Sequence, residues 1–114
     1  MGLHSVTPRI VVDDVAGLVE HLRRVFGATG AVQTDRPSTV QIGDSYIMIS
    51  AVGPRPATPA FLYVYVEDAD ACWRRALAEG ARSLEEPADQ PYGDRRAMVE
   101  DPWGNVWQIA TRHL

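Results

Sequence analysis

The chain has 114 residues, a formal net charge of −4, 46% hydrophobic and 23% charged residues, and one cysteine. That length is enough for one domain with a real core. No apolar run approaches the roughly 20 residues that span a bilayer, and the acidic balance argues against a nucleic-acid partner. The start, Met1-Gly2-Leu3-His4-Ser5, lacks the basic-then-apolar pattern of a signal peptide, so a cytoplasmic location is the expectation. Cys72 has no partner for an internal disulfide and belongs to no zinc-type spacing.

In chain order, residues 6–12 read as a strand, with Ile10-Val11-Val12 suited to burial. Asp13 or Asp14 caps a helix in which Val15, Leu18, Val19, Leu22, Val25 and Phe26 form one stripe. Gly27 or Gly30 ends it. Residues 31–34, 39–42 and 45–50 read as strands, the last two joined by a Gly43-Asp44 turn. Residues 53–59 carry three prolines and form a stiff linker. Residues 61–66 open a second unit. Its helix is capped by Asp68, carries Ala69, Cys72, Trp73, Ala76 and Leu77 on one side, and closes at Glu79-Gly80-Ala81. Strands at 83–86, 95–100 and 106–110 follow, the last two joined around Gly104-Asn105. The order βαβββ therefore occurs twice: unit 1 about 5–52 and unit 2 about 60–114, folded as one domain because neither half buries its own helix face and sheet edge. The expected fold class is α+β, a curved mixed sheet forming a cup with helices outside.

This order, with Asp101-Pro102-Trp103-Gly104-Asn105 before the last strand, resembles the vicinal oxygen chelate superfamily of glyoxalases, extradiol dioxygenases and bleomycin-resistance proteins. Val-x-Asp before each helix and Phe26-Gly27-Ala28 after the first support the likeness. Pro91-Tyr92-Gly93-Asp94-Arg95 is similar to the PhnB-like or bleomycin-resistance-like branch. Metal-dependent members take His, Glu or Gln ligands at positions that fall here on Thr7, Ile47, Phe61 and Gln108. A phenyl ring, an alkyl chain, a hydroxyl and one neutral amide do not make a divalent site. Neither a metal nor another cofactor is expected. His4, His21 and His113 read as tail or surface residues rather than replacement ligands.

If Phe61 and Gln108 keep the ligand positions, strand alternation turns Tyr63, Tyr65, Ile47 and Ile49 into the same cup, with Arg9 and Val11 from the first strand. The resemblance adds Arg96, Met98 and Glu100 from the penultimate strand. Leu62, Val64, Tyr46, Met48, Trp107 and Ile109 then pack under the helices, and Trp103 is exposed or at a dimer contact. The ligand-binding set is Arg9, Ile47, Phe61, Tyr63, Tyr65, Arg96, Met98, Glu100 and Gln108. Its rings and few polar groups suit a planar or amphipathic ligand. The same aromatics also suit a strand with no ligand. Arg96 and Glu100 could pair on one strand face; no Ser/His/Asp or Cys/His arrangement marks a catalytic residue.

Three readings follow. The first is a metal-free small-molecule binding protein of bleomycin-resistance type, sequestering an aromatic or cationic ligand such as an antibiotic. The second is a metal-independent lyase or isomerase acting in the same cup. The third is a dimeric interaction module without a ligand. A homodimer is expected from the resemblance and from the prevalence of isologous pairs.

Overall fold

A computed structural model describes residues 5–112. The chain divides into two compact units, the first ending at Pro59 and the second starting at Ala60. No helix among the described residues is long and apolar enough to cross a membrane.

The first unit runs β1 (Arg9–Val12), α1 (Val15–Phe26), β2 (Ser38–Ile42) and β3 (Ser45–Ala51). Asp14 caps α1 by accepting a 2.9 Å hydrogen bond from the Gly17 amide, and Gly27 ends it in the left-handed region at φ 71°. The helix packs against β2 and β3 through Leu18, Val19, Leu22 and Val25. The sheet order is β1-β3-β2, with β1 parallel and β2 antiparallel to β3. Gly43 at φ 57° supplies the positive φ of a two-residue turn joining Ile42 to Ser45.

The strand expected at 31–34 does not form. Only Thr29 bridges Gln41, and the Gln33 amide is satisfied by Ser38 Oγ at 2.8 Å instead of by a ladder partner. Gly30, at φ 129°, lies so close to β2 that a Cβ there would sit 2.5 Å from the Thr39 carbonyl oxygen. The chain therefore leaves the sheet edge just where the sequence pattern continued it. His21, expected at the surface, is buried on α1 at 5% exposure. His4 and His113 fall outside the described residues. The proline-rich linker returns to the sheet at Thr58, which exchanges backbone hydrogen bonds of 2.9 and 3.4 Å with Val11.

The second unit runs β4 (Phe61–Tyr65), α2 (Ala69–Ala78), β5 (Arg82–Asp89), β6 (Asp94–Glu100) and β7 (Val106–Arg112). Asp68 caps α2 at the Ala71 amide, 3.1 Å away. The sheet order is β4-β7-β6-β5, with the first pair parallel and the others antiparallel. In both units the first strand pairs in parallel with the last, so the sequence repeat is also a repeat of topology. The helix α2 packs on β5, β6 and β7. Ala69, Cys72 and Ala76 are buried on it, Trp73 Nε1 donates to Ser83 Oγ at 3.1 Å, and Arg95 forms a two-bond ion pair with Asp70 at 2.7 and 3.0 Å. Burial pushes the Cys72 thiol up to about 11, which keeps it protonated and unreactive at neutral pH.

Candidate functional site

Register fixes which side chains share a face of the second sheet. Phe61 lies opposite Val106, and Val106 opposite Glu100. Tyr63, Gln108 and Met98 form the next row, and Tyr65, Ala110 and Arg96 the third. Seven residues of the expected ligand set, Phe61, Tyr63, Tyr65, Arg96, Met98, Glu100 and Gln108, thus occupy one face. The alternate residues Trp107, Ile109, Val99 and Ala97 are buried on the face that α2 covers. On the open face Phe61, Tyr63 and Tyr65 remain 66%, 38% and 49% exposed.

The first sheet corrects one part of the expected pattern. Ile47 and Ile49 lie opposite Val40 and Ser38 and are buried with Ile10 on the α1 side. Arg9 lies opposite Met48, on the other face, with Tyr46 and Ser50. Arg9 and Ile47 therefore do not share a face. The error is a one-residue slip in β3, which turns every side chain over; two isoleucines flanked by Tyr46 and Met48 give either parity an apolar face.

The polar groups of the open face form a network that the sequence reading missed. Asp94, 5% exposed, accepts the hydroxyls of Tyr63 at 2.6 Å and Tyr65 at 2.9 Å on the same oxygen, Oδ2. The Tyr63 and Tyr92 hydroxyls lie 3.2 Å apart, and Arg96 Nη1 donates to Tyr92 at 3.2 Å. Arg96 Nη2 reaches Glu85 Oε1 at 2.6 Å, while Arg96 Nε is buried with no partner among the described residues. The Arg112 guanidinium stands 4.2 Å from the Tyr65 ring centroid. The expected Arg96–Glu100 pair does not form: Glu100 pairs with Arg82, and Arg96 with Glu85. Cross-strand neighbours won over same-strand ones because β5 lies directly beside β6. Asp94 and Tyr92 were visible in Pro91-Tyr92-Gly93-Asp94-Arg95, but only the register shows that they meet Tyr63 and Tyr65.

Desolvation, and then the hydrogen bond to the Asp94 carboxylate, hold the Tyr63 phenol well above its ordinary value of 10.0. The folded chain thus grips this proton more tightly than the unfolded chain does. The resulting stabilisation is complete below about pH 10 and is lost progressively as pH rises beyond it. Alkaline titration of the native chain and of Tyr63→Phe, followed by tyrosine absorbance, isolates Tyr63 as the difference between the two curves, and that difference should lie above the ordinary tyrosine value of 10.0. A Tyr63 difference curve centred at 10.0 in folded protein would contradict the network.

The positions that correspond to metal ligands do not supply a ligand set. Phe61 and Gln108 share the open face but offer one neutral amide between them, and Ile47 lies buried under α1. Among the described residues no three His, Cys, Asp or Glu side chains come together to hold a metal ion. These residues do not fit a divalent cation.

The fold and this face place the chain among known proteins. Residues 2–109 match the family described as the glyoxalase/bleomycin resistance protein/dioxygenase superfamily, and the chain belongs to it. A curated relative, the uncharacterized protein Mb0911c of Mycobacterium bovis, is 27% identical over 123 aligned residues, covering 92% of this chain and 81% of the relative. Among solved structures, TioX from Micromonospora sp. ML1 is similar at a TM-score of 0.79 and 27% identity, with 97% of this chain and 99% of that one covered. A glyoxalase/bleomycin resistance protein/dioxygenase family enzyme from Burkholderia phytofirmans PsJN has the same fold, at a TM-score of 0.77 and 20% identity over 91% of this chain and 94% of its own.

Proposed function

We propose that the chain is a metal-free small-molecule binding protein of bleomycin-resistance type, and that the open face of the β4–β7 sheet takes a planar aromatic or cationic ligand. The observation that carries this reading is the exposure of Phe61, Tyr63, Tyr65 and Tyr92 at 66%, 38%, 49% and 60% beside a prearranged polar network. A contiguous exposed aromatic surface in a folded protein marks a binding surface. Tyr63 and Tyr65 are already set 5.3 Å apart at 57°, so little side-chain entropy remains to be lost when a ring stacks on them. The protein's own Arg112 stands 4.2 Å from the Tyr65 ring centroid, which supports a delocalised cation as a ligand for these rings.

Binding is favoured over turnover because the acidic groups of the face are engaged. Asp94 holds two phenols, Glu100 is paired with Arg82, and Glu85 with Arg96. None is positioned as a free general base. Antibiotics with fused or stacked rings are the ligand class to screen first, and sequestration is the action that needs no catalytic group. The reading includes a cytoplasmic homodimer, the pairing supported by family membership and by the prevalence of isologous pairs.

A thermal-shift screen of aromatic and cationic antibiotics tests the proposal, since a ligand bound only by the native state raises its apparent stability. For any hit, Tyr63→Ala should weaken binding by about 1–3 kcal/mol, the loss of an aromatic anchor. Tyr63→Phe should retain most of the affinity. Tyr65 continues to satisfy Asp94 in both variants, so melting should change much less than binding. Unchanged affinity in Tyr63→Ala would move the site elsewhere; light scattering on the same samples gives the oligomeric mass.

A further inference from the structure

We propose that the first unit carries a separate site for a small oxyanion, a carboxylate or phosphate group, held by Arg9, Arg55 and the Ser50 hydroxyl. The site lies on residues of the first unit alone and uses none of the aromatic face described above, so the two proposals stand or fall independently.

A cavity of about 230 Å³ is lined by Arg9, Val11, Ser50, Ala51, Pro54 and Arg55. Its walls come from two kinds of element. Val11 and Ser50 are register partners on β1 and β3, and Arg9 lies two residues before Val11 on the same face. Pro54 and Arg55 come from the linker, whose path is fixed at several points. The Gly53 amide donates to the Arg55 carbonyl at 3.2 Å, Thr58 Oγ1 donates to the Pro56 carbonyl at 3.0 Å, and Thr58 is bridged to Val11. Prolines on both sides of Arg55 restrict it further. The ordered linker backbone thus brings Arg55 to the wall of the same cavity that Arg9 lines.

Most arginines of the described residues carry an ion pair, whereas Arg9 and Arg55, like Arg74 on α2, carry none; unlike Arg74, these two line one cavity. Arg23 and Arg24 have Glu20, Arg36 has Asp35, Arg82 has Glu100, Arg95 has Asp70 and Asp89, and Arg96 has Glu85. Arg9 and Arg55 have no ion pair or side-chain hydrogen bond among the described residues, in a chain with net charge −4 that has carboxylates to spare. Two like charges on one small cavity repel each other, and an anion between them converts the repulsion to attraction. Guanidinium groups offer paired N–H donors that match carboxylate and phosphate oxygens.

Ser50 supplies the independent sign of a missing partner. Its Oγ is buried, yet it hydrogen-bonds to nothing among the described residues. A native protein rarely leaves such a group unsatisfied without a use for it. Rotation of the Ser50 side chain toward the cavity it lines would let the hydroxyl donate to an anion oxygen and complete a three-donor cradle. A cavity of about 230 Å³ has room for a phosphate or a short carboxylate together with ordered water.

The test is calorimetric titration of the full chain with inorganic phosphate and, separately, with acetate, at constant ionic strength set by chloride. Saturable binding of at least one is expected, and whichever binds tighter identifies the anion class. Arg55→Ala lies on the exposed linker and should fold normally; it should weaken binding about tenfold, the scale of one lost charge-assisted contact. Arg9→Gln should do the same, and Ser50→Ala should weaken binding by a smaller factor without lowering the melting temperature. Tyr63→Ala should leave phosphate or acetate binding unchanged, which separates this site from the aromatic face. Absence of saturation with both anions, or native affinity in both Arg55→Ala and Arg9→Gln, would overturn the proposal.

Discussion

Trp107→Ala is expected to cost about 3–5 kcal/mol of stability, the scale of a buried tryptophan truncation. Trp107 is 1% exposed on β7, which lies between β4 and β6. Its register partners Leu62 and Val99 share its face, the one that α2 covers. Removing the indole opens a void where three strands and a helix meet. It also removes the 2.9 Å hydrogen bond from Nε1 to Asp101 Oδ2. Trp107→Phe separates the two contributions, because it keeps much of the ring volume and loses the donor; about 1.5–3 kcal/mol is expected from a hydrogen bond to a charged group. Urea unfolding monitored by circular dichroism measures both. A Trp107→Ala midpoint within experimental error of the native one would mean that β7 presents its other face to the helix.

That parity was legible in the sequence for one unit and not for the other, for a physical reason. In β7, Trp107 and Ile109 alternate with Val106 and Gln108, and a strand that carries a polar amide on one face and an indole on the other has only one sensible orientation. The β4 strand, with Phe61, Tyr63 and Tyr65, takes its register from β7 through parallel pairing. In β3 the run Tyr46-Ile47-Met48-Ile49 is apolar on both sides, so alternation carries no information and the answer comes from α1, whose stripe needs Ile47 and Ile49. Both helices were fixed by local chemistry: Asp14 and Asp68 cap them as the sequence indicated, and Gly27 closes the first. The missing strand at 31–34 was not legible, because the close approach of Gly30 to Thr39 is a tertiary fact. The network at Asp94 was out of reach for a similar reason. Tyr63 and Asp94 are 31 residues apart, and only the order β4-β7-β6 brings them onto one surface.

Asp101→Ala is expected to be comparably damaging, at about 3–5 kcal/mol, although it deletes only a carboxylate. Asp101 is 3% exposed, and its two oxygens serve as the hub of the turn between β6 and β7. Oδ1 accepts from the amides of Trp103 and Asn105, both at 2.9 Å, and Asn105 Nδ2 lies 3.2 Å from Oδ1 and 3.0 Å from Oδ2. Oδ2 also accepts from Trp107 Nε1. Asn105, fully buried, passes the constraint on: its Oδ1 accepts from the Ala60 amide at 2.8 Å, immediately before β4 begins. The Asp101-Pro102-Trp103-Gly104-Asn105 segment that marks the family in sequence is therefore a clasp between the β6–β7 turn and the start of β4. Without the carboxylate, several buried donors lose their acceptor, and each unsatisfied group costs about 1–3 kcal/mol before the turn relaxes. Asp101→Asn should be milder, because one oxygen remains to accept. Because Asp101 and Trp107 share a hydrogen bond, their losses should not add: the double variant Asp101→Ala/Trp107→Ala should be less destabilised than the two singles together by about 1 kcal/mol. Full additivity in that cycle, or an Asp101→Ala chain as stable as the native one, would show that the turn is held by its backbone bonds alone, the 2.9 Å Asp101–Asn105 and 3.0 Å Gly104–Asp101 contacts.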